Sequence, residues 1–194
     1  MKALTKHQSQ RMSKNLDHYF NLANDTDIES GKKWYKTAND ICTEIATEFN
    51  TTTETVAGVI SALSPRNKWE QNIKDARSVF NAVKNNLNPE DIKVCTFNKN
   101  KNKAFLIAKN EIKITDKSRK TFSFVKNIAH LDISFITVDV WHLRACFGIT
   151  ISTAPNKSLY DHIEKLTLRK AKKHNLKGFE YQAIVWNSVK RNFK

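Results

Sequence analysis

The chain of 194 residues carries 33 Lys and Arg against 19 Asp and Glu, a net charge of +14. That bias points to a polyanionic partner, nucleic acid first, because each phosphate contact releases condensed counterions. Only 4 Gly and 3 Pro punctuate a composition that is 40% hydrophobic, which argues against a turn-rich β fold and predicts long helices, an all-α protein with one core or two small helical lobes.

In chain order, Met12, Leu16, Tyr19, Phe20 and Ala23 recur at helical spacing and predict an N-terminal helix that ends at Asp25-Thr26-Asp27. Trp34, Ala38, Ile41, Cys42, Ile45, Ala46 and Phe49 form the cleanest amphipathic stripe. Thr51-Thr52-Thr53-Glu54 reads as a capping box, a Thr hydroxyl and the Glu carboxylate serving first-turn N–H groups, ahead of a helix through Val56, Val59, Ile60 and Leu63. Ser64-Pro65-Arg66-Asn67-Lys68 breaks that helix, since proline cannot continue the hydrogen-bond ladder. Trp69, Ile73, Ala76, Val79, Phe80 and Val83 resume it.

Asn88-Pro89-Glu90-Asp91 is a turn into a short helix, and Asn98 to Lys103 reads as a solvated or phosphate-facing turn. Two further helices follow, one through Ala104, Phe105, Ile107 and Ala108, the other over 117–129, with Glu111 to Asp116 between them and Asp116 a candidate cap. Ile136-Thr137-Val138 then leads to Asp139, after which Val140, Leu143, Arg144 and Phe147 return to helical spacing, placing a carboxylate at a helix N-terminus. Tyr160, Ile163 and Leu166 predict another helix, the basic run Lys170 to Lys173 follows, and Gly178 precedes a last helix bearing Phe179, Ala183, Ile184, Trp186 and Val189.

Ser118-Arg119-Lys120-Thr121-Phe122, one helix, and Val138-Asp139 with Arg144 beyond it, Lys120 and Asp139 being 19 residues apart, resemble the core of the helix-hairpin-helix DNA glycosylases, the endonuclease III class. Ile60-Ser61-Ala62-Leu63-Ser64 resembles the segment before that family's DNA-facing loop. The resemblance covers roughly residues 56–148. It implies two helical lobes around a central cleft in a single domain over 1–194, the central lobe at about 50–148 and the terminal helices forming the second. The family hairpin usually carries glycines where Ile114-Thr115-Asp116-Lys117-Ser118 stands here, and its iron–sulfur loop has no counterpart, the three cysteines Cys42, Cys95 and Cys146 being scattered. No cofactor and no metal are expected.

On that resemblance, Asp139 promotes cleavage of the base–sugar bond through an oxocarbenium-like transition state, and Lys120, crowded by Lys117, Arg119 and Lys126, is the amine nucleophile of a bifunctional enzyme or else a phosphate contact. Arg66 and Asn67, with Ser64 and Trp69 flanking them, are candidates for filling the gap left by an extruded base. Lys117, Ser118 and Arg144 are candidate DNA contacts, Trp141 or His142 a stacking surface, and Gln182, between Tyr181 and Trp186, a base reader. The implied partner is double-stranded DNA and the implied state a monomer. The absence of a membrane-length apolar run or a signal segment in Met1 to Lys6, with dispersed cysteines, predicts the cytoplasm. The favoured substrate is a hypermodified phage base such as glucosylated hydroxymethylcytosine. Two alternatives stand beside this: a non-catalytic DNA-binding module, and a phage base-hypermodification transferase on the same fold.

Overall fold

The computed structural model describes residues 5–151 and 153–192; Met1 to Leu4, on which most of the expectation about a signal segment rests, lie outside them. The described residues form an all-α protein of nine α-helices with no strand: α1 (Lys6–Asn21), α2 (Asp25–Glu48), α3 (Thr53–Leu63), α4 (Trp69–Lys84), α5 (Asn98–Ala108), α6 (Arg119–His130), α7 (Val140–Phe147), α8 (Lys157–Lys173) and α9 (Gly178–Asn192). No helix among them is long and apolar enough to cross a membrane.

The chain divides into two compact units, 38–131 and the combination of the N-terminal 37 residues with 132–194. The helix α2 gives its first half to the terminal unit and its second half to the central one. In the central unit α3 is the axis: every residue from Val56 to Leu63 is buried, as expected of a helix that packs on all sides, here against α4, α5 and α6. In the terminal unit Met12 and Leu16 of α1, Ile136, Val138, Leu143 and Cys146 around α7, Tyr160 and Ile163 of α8, and Tyr181, Val185 and Val189 of α9 share one core. The Asp139 segment therefore packs with the terminal helices. The resemblance implies a place for it in the central lobe of about 50–148; hydrophobic periodicity locates helices but not the neighbours they bury against.

Local caps differ from the expected ones by small shifts. The α3 cap is Thr52, whose hydroxyl accepts from Thr55 N–H at 3.0 Å, one residue later than a box closed by Glu54 requires. Glu54 turns instead toward Lys126 Nζ (3.7 Å) and His130 Nε2 (3.6 Å). Asp25 to Asp27 open α2 in place of merely ending α1: Asp27 N–H donates to Asn24 Oδ1 and its carboxylate accepts from Asn24 N–H. The lysine-rich Asn98 to Lys103 is no turn but the start of α5, since the anchors Ala104, Phe105, Ile107 and Ala108 hold a helix whose exposed side tolerates charge. Asp116 lies in a 3-10 turn (Asp116–Ser118), and Ser118, at the α6 N-cap, makes no side-chain cap bond.

The scarcity of glycine is met by asparagine. Asn50, Asn86, Asn110 and Asn175 follow the last turns of α2, α4, α5 and α8 with φ between 49° and 58°, and each closes the double backbone bond of a Schellman motif, such as Asn110 N–H to Ile107 C=O and Glu111 N–H to Leu106 C=O, both 2.9 Å. Glycine remains where backbone contact forbids a Cβ. At Gly31 in α2 a Cβ would stand 2.6 Å from Ile184 Cγ1 and 2.7 Å from Ile184 N on α9. In an ordinary helix interior Gly→Ala stabilises by about 1 kcal/mol. At position 31 the sign reverses, and Gly31→Ala is expected to cost about 1–3 kcal/mol in urea unfolding.

Candidate functional site

In the terminal unit residues 136–138 are buried outside any helix, with no strand beside them among the described residues, and Asp139 N–H closes a tight turn on Thr137 C=O at 3.0 Å. Three of their backbone groups are bonded from α8. Ile136 N–H donates to Glu164 Oε1 at 3.0 Å. The Tyr160 hydroxyl donates to Ile136 C=O at 2.7 Å and accepts from Val138 N–H at 3.1 Å, a pairing that uses its one proton and one of its lone pairs. The segment delivers Asp139, half-buried, as the N-cap of α7: Oδ1 accepts from His142 N–H at 2.8 Å. At the other end Gly148, with φ 67°, donates to Arg144 C=O at 2.8 Å and closes the helix.

Around this carboxylate the unit is largely internal. The Tyr35 hydroxyl donates to Gln182 Oε1 at 3.0 Å, and both residues are about 2% exposed. Burial lifts Tyr35 far above the ordinary phenol range; a hydrogen bond with Thr137 partly offsets this, and the charge of Asp139 adds to it. His142 is completely buried, with Nε2 2.8 Å from Thr167 Oγ1. Because that hydroxyl spends its proton on Ile163 C=O at 2.9 Å, Nε2 carries the imidazole proton and Nδ1, which has no partner, holds the lone pair. His142 and Gln182 thus face inward, away from the surface where stacking and base reading were expected. Trp141 and Arg144 are half-buried, the guanidinium 4.3 Å over the indole.

The remaining candidates lie in the central unit, so Lys120 and Asp139 belong to different units. Between α3 and α4, Asn67 N–H closes a turn on Ser64 C=O at 3.2 Å, with Pro65 second and Arg66 third at φ +60°. That is the position where a type II turn favours glycine. The buried Asp75 braces it, accepting from Asn67 Nδ2, Gln71 Nε2 and Cys95 N–H, each at 2.8 Å. Thr96 Oγ1 donates to Pro65 C=O at 3.1 Å, and Arg66 lies 5.1 Å over the ring of Phe97, itself 51% exposed. Ser64 and Trp69 flank the turn, half-buried. Lys117, Ser118 and Lys120 are exposed at the start of α6. A groove of about 430 Å³ opens beside the α5–α6 connection, with Thr52, Asn110, Lys113 and His130 on its rim and Gly58, Ile107 and Val125 beneath; none of the expected site residues lines it.

A family model matches residues 1–193. The chain belongs to DUF7178, a family of unknown function. No curated protein and no solved structure matches it. In this DUF7178 protein Tyr160 and Glu164, which bond the segment leading to Asp139, and Phe97, the partner of Arg66, are neighbours of the candidate residues whose contacts the sequence pattern did not single out. The signal for Glu164 is a carboxylate on the apolar stripe of Tyr160, Ile163 and Leu166, where an unpaired charge would be too costly to bury. Burial pushes the Cys42 thiol up to about 12 and raises Cys146 further, which disfavours the thiolate at both buried cysteines, whereas Cys95 is exposed.

These environments have measurable consequences. Burial lowers His142 from 6.5 to about 4, so between those pH values the unfolded chain binds a proton that the folded chain does not. Stability is therefore complete above pH 6.5 and falls as pH drops toward 4, by up to about 3 kcal/mol from this group. Guanidinium unfolding of wild type and His142→Gln across that range is expected to show the slope in wild type and a flatter profile in the variant. At the strained turn, Arg66→Gly is expected to be about 1 kcal/mol more stable than Arg66→Ala in thermal unfolding, since both remove the guanidinium from Phe97 but only glycine accepts the positive φ without cost.

Proposed function

We propose that this protein is a DNA glycosylase of helix-hairpin-helix type, a cytoplasmic monomer that flips a base out of double-stranded DNA and cleaves its N-glycosidic bond to leave an abasic site. The observation that carries this reading is Asp139, a half-buried carboxylate set at a helix N-terminus at the end of a segment braced by Tyr160 and Glu164. Cleavage passes through an oxocarbenium-like state, and a carboxylate held in place beforehand stabilises that positive charge without reorganising at the moment of reaction.

The basic surface supports a DNA partner. At the start of α6, Arg119 and Lys120 occupy a first turn with no side-chain cap, where cations oppose the helix dipole. A DNA phosphate on Lys117, Ser118 and Lys120 would relieve that conflict. Arg66, held out by the braced turn with Phe97 beneath it, suits insertion into the space an extruded base leaves, with Ser64, Asn67 and Trp69 supporting it. Trp141 and Arg144 remain candidate contacts; His142 and Gln182 take supporting places, fixing α7 and Tyr35. The preferred substrate is a hypermodified pyrimidine such as glucosylated hydroxymethylcytosine, in defence against phage. The cap bond at Asp139 also suits a second reading, a DNA-binding module in which this carboxylate only caps α7.

One variant separates the two. Asp139→Asn, which can still cap the helix, is expected to abolish abasic-site formation while keeping most DNA affinity; full activity in this variant removes Asp139 from the mechanism. Lys120 decides the reaction type. If its amine attacks the sugar C1′, the C1′–N bond electrons leave with the base, which takes the proton the amine gives up; the nitrogen lone pair then opens the C1′–O4′ bond, O4′ picks up a proton, and the ring-opened sugar is left as a Schiff base that borohydride reduces to a stable protein–DNA adduct. Wild type is expected to be trapped and Lys120→Ala not. Wild-type base release by Lys120→Ala, with no adduct from either protein, makes Lys120 a phosphate contact and water the nucleophile.

A further inference from the structure

The helices α1 and α8 of the terminal unit lie side by side and run in the same direction. Ser9 Oγ pairs with His162 Nε2 at 3.0 Å, Asp17 with Lys170 at 2.5 Å one helical stretch later, and the rings of Phe20 and His174 approach to 4.2 Å. Met12 and Leu16 of one helix, and Tyr160, Ile163 and Ala171 of the other, point into the shared core. On the side of α8 opposite its core residues, Lys165, Arg169 and Lys172 recur at intervals of four and three, with Lys173 beside them. On α1, Arg11 and Lys14 turn away from the core and from the seam with α8 in the same sense. All six are exposed and none forms an ion pair among the described residues.

No carboxylate balances them. The acidic residues of these helices are Asp17, paired with Lys170 in the seam, Glu164, buried on Ile136 N–H, and Asp161, half-buried and engaged. At 1.5 Å rise per residue and 8–10 Å between packed helices, the six cations cover a face roughly 10 Å on a side, several phosphates wide. We propose that this outward face of α1 and α8 is a second nucleic-acid surface, binding the phosphate backbone of duplex DNA without reading its sequence. A membrane surface is the weaker match, because an interfacial helix needs an apolar face for lipid, and within α1 and α8 no large hydrophobic side chain is exposed. The inference goes beyond the glycosylase reading and holds whether or not Asp139 is catalytic.

The experiment uses the full chain and a plain duplex of about 20 base pairs, with affinity read by fluorescence anisotropy between roughly 50 and 200 mM salt. Lys165→Gln/Arg169→Gln/Lys172→Gln is expected to bind about tenfold more weakly and to shrink the slope of log affinity against log salt by about 2–3, near 0.9 for each phosphate no longer neutralised. The charge-matched Lys32→Gln/Lys84→Gln/Lys93→Gln, all exposed elsewhere, is expected to keep the wild-type slope. Circular dichroism checks that both fold. An unchanged slope in the α8 variant overturns the proposal, as does an equal loss in the control. So does a loss confined to phosphatidylserine vesicles, which would make the face a membrane contact.

Discussion

The structure around Asp139 depends on one hydroxyl. A buried segment outside a helix has no hydrogen-bond ladder of its own, and leaving its backbone groups unmet costs about 1–3 kcal/mol each. With no strand among the described residues, residues 136–138 draw three of theirs from α8, where Tyr160 both gives and takes a bond and Glu164 accepts a third, while Thr137 C=O is met by Asp139 N–H. Because Tyr160 and Glu164 are one helical turn apart, a rigid helix fixes the path of the chain that leads into α7. Asp139 is thereby set as the cap of α7, and the buried His142 ties α7 to the same helix α8 through Thr167.

Much of this fold was legible as periodicity. The stripes of α1, α2, α4, α8 and α9 are long and regular, and the step from Thr137 and Val138 to the spacing of Leu143 and Phe147 located the α7 cap at Asp139. Less legible was anything decided by packing partners. The run Thr51 to Glu54 at the start of α3 allows caps in adjacent registers, and Glu54 is drawn away by Lys126 and His130. Polar composition made Asn98 to Lys103 look like a turn, although a helix anchored by Phe105 and Ile107 carries such residues on its exposed side. Gln182 and His142 read as surface chemistry because polar side chains usually are; here Tyr35 and Thr167 supply their bonds inside.

Asparagine and arginine do in this chain what glycine does in many others. The four asparagines after helix ends accept left-handed backbone at lower cost than most residues. Arg66 accepts it without that advantage, held by Asp75 and Thr96, and strain kept in place by its surroundings is a mark of positions retained for what the side chain does. Positive charge is also spread unevenly in its pairing: Lys170, Arg77 and Arg191 sit on carboxylates, whereas the outward cations of α1 and α8 do not. A surface left unpaired in this way is suited to a partner that brings its own negative charge.

The most direct measurement is mass spectrometry of free bases after the wild-type protein is incubated with plain, damaged and hypermodified duplex DNA. The account predicts a free base, with an abasic site left in the strand, from at least the hypermodified pyrimidine substrate. DNA that is bound but yields no free base from any of the three would contradict it and leave Asp139 as a helix cap alone.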